Sequence, residues 1–383
     1  MKEEGVMTRR NFVASATLGA AATGFRLPSE LLAAERGVGL DAAGETPLLR
    51  LHRNESPYGL PPAAAEAIRG AVGGMSPRYP IDEPTALAGA LAKRFGVDRE
   101  QVALGCGSIE VLRMATETFC GPSRAAIVAE PTYEAVVSYC PFVHSRAVKI
   151  PLTRRDYRHD LPRMLGAASQ GAGMIFFCNP SNPAGTVIGK REVERFVRKL
   201  PRGVVLLADE AYFDYVEGSE HESCLRYVKE GLPVVVSRTF SKIYGMAGLR
   251  VGYAIGRKDL IKRMLNRRLA NNPNQLAVAA ALAGLKDDEF VARARRRNGE
   301  ARDYLCGELG GMGLAYIPSA TNFVTISLNR PAKPLIEALK GRRVLVGREF
   351  PSIPRHMRVT LGTVEEMKLF VKVFKEVLNL NHA

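Results

Sequence analysis

Between about residue 100 and residue 256 the chain alternates short, β-rich apolar runs with longer polar, helix-like segments. The apolar runs Val102 to Leu104, Ala125 to Val128, Met174 to Phe177, Val204 to Ala208, Val234 to Val236 and Val251 to Ile255 predict strands. Strands that alternate with helical patterns imply a three-layer α/β fold, with a mainly parallel sheet and helices on both faces. An alanine-rich helix is expected at about 276–285. Beyond it lies a second, smaller α/β region ending in Arg358-Val-Thr-Leu-Gly-Thr363.

In open α/β sheets, ligands bind at the carboxyl ends of the strands. The polar and glycine-rich clusters of this chain fall at those ends. Gly105-Cys-Gly-Ser108 follows the run 102–104, Asn179 to Gly185 follows 174–177, Asp209-Glu-Ala-Tyr212 follows 204–208, and Thr239 to Lys242 follows 234–236. Their shared placement, more than any single motif, marks one sheet edge as the candidate site.

Length and composition narrow the reading without naming a function. A chain of 383 residues predicts two domains, and 46% hydrophobic with 24% charged residues excludes a disordered chain. The net charge of +15 invites nucleic acid as a partner, but the basic residues are scattered and carry no nucleic-acid-binding signature. Steering of small anionic substrates is the reading that survives. The six cysteines are widely spaced, with no C-x-x-C pair, so no metal site is predicted and most are expected as buried thiols. No segment approaches the roughly 20 apolar residues of a membrane-spanning helix.

At the amino end, Thr8-Arg-Arg-Asn-Phe-Val13 opens a stretch without charge from Asn11 to Phe25. Arg-Arg also occurs at 154–155, 267–268 and 342–343, so the pair alone carries no information. Its position beside a mildly apolar, terminal stretch resembles a twin-arginine signal peptide spanning residues 1–36. Export to the periplasm is therefore expected, with Met7 as an alternative start.

A strand followed by Gly105-x-Gly-Ser and a helix presents backbone N–H groups and a positive helix end to a phosphate. Glu110 stands where a dinucleotide fingerprint has its third glycine, which argues against NAD; the loop alone could be a plain strand-to-helix turn. Lys242, just after an apolar run, is a Schiff-base candidate if held in the interior, although most lysines are solvated. Thr239, Ser241 and Arg250 are the neighbours that could bind a phosphate beside it. Asp209 ends an apolar strand. Opposite a pyridine nitrogen it would keep that ring protonated; otherwise it would cap a helix.

The motifs Asn54-Glu-Ser-Pro-Tyr-Gly59, Arg78-Tyr-Pro80, Gly105-x-Gly-Ser-x-Glu110, Pro131-Thr-Tyr133, Asn179-Pro-Ser-Asn-Pro-Ala-Gly185, Asp209-Glu-Ala-Tyr212, Thr239-Phe-Ser-Lys242, Gly248-Leu-Arg250 and Arg358-Val-Thr-Leu-Gly362 run in one order along the chain. Together they resemble the fold-type I aminotransferases that use pyridoxal 5'-phosphate, and within them the histidinol-phosphate aminotransferase group. The resemblance implies a large cofactor domain over 76–275 and a small domain built from 45–75 and 276–383. It implies that Lys242 carries the cofactor as a Schiff base and shuttles the substrate proton, and that Asp209 pairs with the pyridine nitrogen. Asn182 and Tyr212 would hydrogen-bond the ring oxygen, and Tyr133 would stack on the ring. Gly107, Ser108, Thr239, Ser241 and Arg250 would hold the phosphate. Arg358 would clamp the substrate, with Tyr58 in the same pocket. Tyr79 would reach it across a homodimer boundary, so that the two active sites are shared.

The implied reaction moves an amino group from an L-amino acid or an amino-alcohol phosphate to a 2-oxo acid such as 2-oxoglutarate. A decarboxylase of the threonine-phosphate type is the alternative, since fold and cofactor contacts are common to both. Two departures from the family pattern stand out. Ala184 replaces a threonine, and the second substrate arginine, Arg348, lies ten residues before Arg358, closer than in the family. A penicillin-binding reading fails, because Thr239 stands where S-x-x-K needs serine.

Overall fold

A computed structural model describes residues 48–80 and 83–380. The segment 1–36 expected as a signal peptide lies outside the described residues. The strands are β1 (Leu49–Leu51), β2 (Val102–Gly105), β3 (Ala125–Glu130), β4 (Ala147–Pro151), β5 (Ala172–Cys178), β6 (Val205–Asp209), β7 (Val234–Thr239), β8 (Gly252–Gly256), β9 (Tyr316–Ile317), β10 (Phe323–Ser327), β11 (Val344–Val346) and β12 (His356–Thr360).

The central sheet has the order β2-β8-β7-β6-β5-β3-β4. From β7 to β4 every pairing is parallel, whereas β8 runs antiparallel to both β2 and β7. All residues of β6, β7 and β8 are buried, so both faces of the sheet are covered. Phe176, Phe177, Leu206, Leu207, Val234 and Val235 are wholly inaccessible. Each side chain of this size contributes about 1.5–3 kcal/mol by leaving water, which makes the sheet a firm platform for its edge. β4, absent from the sequence expectation, is the outer strand. Its Lys149 and Pro151 are exposed and interrupt the apolar pattern, as suits an edge that must not pair further.

The amphipathic helix Ser108–Phe119 buries Val111, Leu112, Met114, Ala115 and Phe119 and packs on β2, β7 and β8. Its buried stripe at helical spacing anchors the loop that precedes it. A second hydrophobic core gathers Leu49, Leu51, Val324, Ile326, Val359, Phe370 and Phe374. Here β1 pairs in parallel with β11, and β10 lies antiparallel between β9 and β12.

The segment 45–75 divides between the two cores. β1 joins the smaller core, while the helix Pro62–Met75 packs on the helix Gln275–Gly284 and sends Ala64 into the larger one. The helix Asp288–Gly311, capped by the Asp287 side chain, contributes Phe290, Val291 and Ala294 to the larger core and Ala301, Leu305 and Leu309 to the smaller. The apolar packing changes from one core to the other within this helix rather than at residue 276.

Candidate active site

The chain leaves β2 through Gly105 and enters the helix Ser108–Phe119 at Gly107, whose φ is +73°. A Cβ at Gly107 would collide with the Arg250 guanidinium, so backbone and neighbour both require glycine there. Because β8 runs against the other strands, its amino end, and Arg250 just before it, reach the edge where β2 and β7 finish. Arg250 donates to Ala247 O at 2.8 Å and to Ser241 Oγ at 3.4 Å. The Thr239 hydroxyl donates to Ser241 Oγ at 3.0 Å and accepts from Ser241 N at 3.1 Å. A helix amino end, a guanidinium and two hydroxyls thus form a cup for an anion.

Glu110 braces the cup. Its buried carboxylate accepts Cys106 N–H at 2.6 Å and Leu269 N–H at 3.1 Å, and it also bonds the Asn272 amide. In the sequence Glu110 serves only to argue against a dinucleotide loop. An acidic residue in the first turn of a helix was the signal for its capping role.

At the carboxyl end of β6, Asp209 is 2% exposed. Its Oδ2 receives the Cys178 thiol at 3.8 Å, while its Oδ1 has no hydrogen-bond partner among the described residues. Burial pushes the carboxyl up to about 7, against the hydrogen bonds from Cys178 and the Ala211 backbone, which favour the charged form. Lys242, beyond β7, donates from Nζ to Asn54 O at 2.9 Å and to Arg53 O at 3.2 Å. The same nitrogen lies 5.7 Å from the centroid of the Tyr212 ring. Burial, with the Arg358 charge next, brings the ammonium down to about 8.

Tyr212 is buried, and its hydroxyl accepts from Asn54 Nδ2 at 2.9 Å and from Asn182 Nδ2 at 3.5 Å. Asn182 Oδ1 accepts an Arg358 terminal nitrogen at 2.6 Å, and the other terminal nitrogen donates to His52 O at 2.9 Å. The Arg358 guanidinium lies 5.4 Å from the Phe323 ring centroid and 5.5 Å from that of Phe350. Asn54, in the left-handed region at φ +54°, exchanges hydrogen bonds with Thr360 at 2.9 and 3.1 Å. In the sequence Asn54 stands in a motif without a role of its own. Its contacts lie across the chain, where no local pattern could reveal them.

Tyr133 follows β3 within reach of the Asp209 and Arg250 charges; burial first, then the Asp209 charge, pushes its hydroxyl up to about 12. Tyr58 is partly buried, with the Arg297 guanidinium 5.7 Å from its ring centroid. Arg348 pairs with Glu134 at 2.5 Å and lies 4.7 Å from the Phe350 centroid. Ser108 opens the first turn of the helix at the cup. Tyr79 stays at the surface, 74% exposed.

Residues 46–374 match the family model described as aminotransferase class I and II. The chain is 36% identical over 338 residues to the histidinol-phosphate aminotransferase of Moorella thermoacetica, which covers 88% of this chain and 86% of that protein. It is 37% identical over 347 residues to histidinol-phosphate aminotransferase 2 of Pseudomonas aeruginosa, at 90% and 92% coverage. Among solved structures, histidinol-phosphate aminotransferase from Sinorhizobium meliloti in complex with pyridoxal-5'-phosphate has a TM-score of 0.82 at 26% identity, covering 94% of this chain and 99% of that one.

Proposed function

The chain belongs to the aminotransferase class I and II family and is a pyridoxal-phosphate-dependent aminotransferase of fold type I; on that premise we propose that it takes its amino group from an L-amino acid or an amino-alcohol phosphate of the histidinol-phosphate kind and gives it to a 2-oxo acid such as 2-oxoglutarate. Asp209 carries the reading. A buried carboxylate with one oxygen left open fits a protonated pyridine nitrogen, and it faces the same edge as Lys242.

The other groups fit the same cofactor. Gly107, Ser108, Thr239, Ser241 and Arg250 would hold its phosphate, Tyr133 its ring face, and Asn182 with Tyr212 its ring oxygen. When bound, pyridoxal 5'-phosphate supplies an electron sink for negative charge developed at the substrate Cα. Asp209, ionised opposite a cation, holds the proton at the pyridine nitrogen. Lys242, with an ammonium brought down to about 8, has an unprotonated fraction near neutral pH and moves the proton at the substrate Cα. The Tyr212 hydroxyl already accepts from two amides, so its own proton is free to be donated. Arg358 offers a planar fork to the substrate carboxylate, and Phe323 and Phe350 screen that pair from water.

For a phosphorylated donor, Arg348 is the second cation, lying like Arg358 beside the Phe350 ring. We further propose a homodimer in which exposed Tyr79 reaches the neighbouring site, and export to the periplasm by the twin-arginine route. Tyr79's exposure supports the first and Arg9-Arg10 before an uncharged stretch supports the second.

The test is a screen of amino donors on the purified holoenzyme, following formation of the acceptor's amino acid with and without 2-oxoglutarate. Lys242→Ala should lower transfer by at least about 10²- to 10⁴-fold, the contribution of a positioned acid–base group. Release of carbon dioxide with no need for an acceptor would replace this reading with the decarboxylase.

A further inference from the structure

Two guanidiniums share the Phe350 ring, Arg348 at 4.7 Å and Arg358 at 5.5 Å, but their partners differ in kind. Arg358 is held by neutral oxygens, Asn182 Oδ1 and His52 O. Arg348 also donates to a carbonyl, Glu349 O at 3.0 Å, but it is paired with a charge as well, Glu134 Oε2 at 2.5 Å. Glu134 directly follows Tyr133 and stands at the start of the helix Ala135–Tyr139, so the ion pair joins the loop carrying the ring-facing tyrosine to the loop after β11. Both side chains are more than half exposed, 53% for Arg348 and 57% for Glu134. Such a pair is weak and exchanges readily.

We propose that Glu134 is a specificity-determining residue of the aminotransferase site, a built-in competitor that occupies Arg348 until a second anionic group on the substrate displaces it. The inference rests on the substrate-binding reading above. A donor with one carboxylate needs only Arg358, whose neutral partners give way without leaving a charge unpaired. A donor with a further carboxylate or phosphate must also take Arg348, and must then separate it from Glu134. Glu134 therefore raises the concentration at which doubly anionic donors bind and leaves singly anionic ones untouched.

The discriminating pair of donors is L-glutamate and L-glutamine, nearly the same shape and different by one charge, each assayed with a 2-oxo acid other than 2-oxoglutarate as acceptor. In the holoenzyme, Glu134→Gln should lower the KM for L-glutamate roughly two- to fivefold, the range of an exposed ion pair, with kcat and the L-glutamine KM unchanged. Calorimetric titration of the same holoenzyme with inorganic phosphate should show binding tightened by a similar factor, and Arg348→Met placed on top of Glu134→Gln should abolish both gains. Equal changes for the two donors, or phosphate binding no tighter in Glu134→Gln than in wild type, would overturn the proposal. Should the wild type transfer neither amino group, the donor reading fails by itself, and the phosphate titration still decides the role of Glu134.

Discussion

Asp209 and Glu210 are neighbours on the chain, each 2% exposed, and the protein treats them in opposite ways. Glu210 is saturated. Its Oε2 accepts from Arg238 at 2.8 and 3.0 Å and from Ser223 Oγ at 2.8 Å, and its Oε1 accepts Cys224 N–H at 2.6 Å. The Arg238 guanidinium is enclosed in turn by the Phe213 and Phe95 rings, with centroids at 4.2 and 5.1 Å. Asp209 has the Cys178 thiol on Oδ2, a backbone contact from Ala211 and an Oδ1 without a hydrogen-bond partner among the described residues. A buried charge with every position filled ties elements together; a buried charge left open is poised for a ligand.

The sharpest way to break this contrast is to open the closed network. Arg238→Ala strands the Glu210 carboxylate in the core and should destabilise the cofactor-free protein by about 3–5 kcal/mol, read from the denaturant midpoint. If Asp209→Ala lowered the midpoint equally, the two carboxylates would not differ in role.

Asp209→Asn probes the open charge through pH. Burial lifts the Asp209 carboxyl from 3.8 to about 7, so between these values the folded chain holds a proton that the unfolded chain has lost. Stability from this group therefore falls as pH rises through the window, and the loss is complete above 7. Asparagine has no such penalty. In cofactor-free protein the variant should gain on wild type between pH 4 and pH 8, by at most about 4 kcal/mol at 1.36 kcal/mol per pKa unit. A difference independent of pH would refute the titration of Asp209, while loss of cofactor binding in the same variant would sharpen the contrast.

The smallest effect is expected at the cup. Gly107→Ala forces a side chain into the left-handed region beside Arg250, at about 1–2 kcal/mol. Cofactor affinity should drop about tenfold, measured by equilibrium titration, while the cofactor-free protein loses no more than about 1–2 kcal/mol at the denaturant midpoint. A midpoint shift as large as that of Arg238→Ala would mean that the loop is structural.

Six strands were legible in the sequence because a sheet covered on both faces leaves uninterrupted apolar runs, and the polar clusters after those runs gave away the edge. β4 was hidden because an edge strand mixes Lys149 and Pro151 into its pattern. The reversal of β8 was hidden too, since a buried run reads alike in either direction. That reversal is what delivers Arg250 to the cup. Asp209, Lys242, Asn182 and Tyr212 were found as motif residues, but Lys242 and Tyr212 are oriented by Asn54, which Thr360 holds in turn across 306 residues. The closed pair of Glu210 and Arg238 had no motif, as both are ordinary charges until their burial is known.

The hold of Thr360 on Asn54 has a temporal consequence. Asn54, whose carbonyl holds Lys242 Nζ, is itself held by Thr360 and Asn322. During synthesis the large sheet can be complete while Asn54 still waits for residues that the ribosome has yet to add. Lys242 is then a lysine without its orienting contact, and the pocket becomes competent only when the last strands arrive. A truncation beyond β11 would act on Lys242 as directly as a substitution beside it.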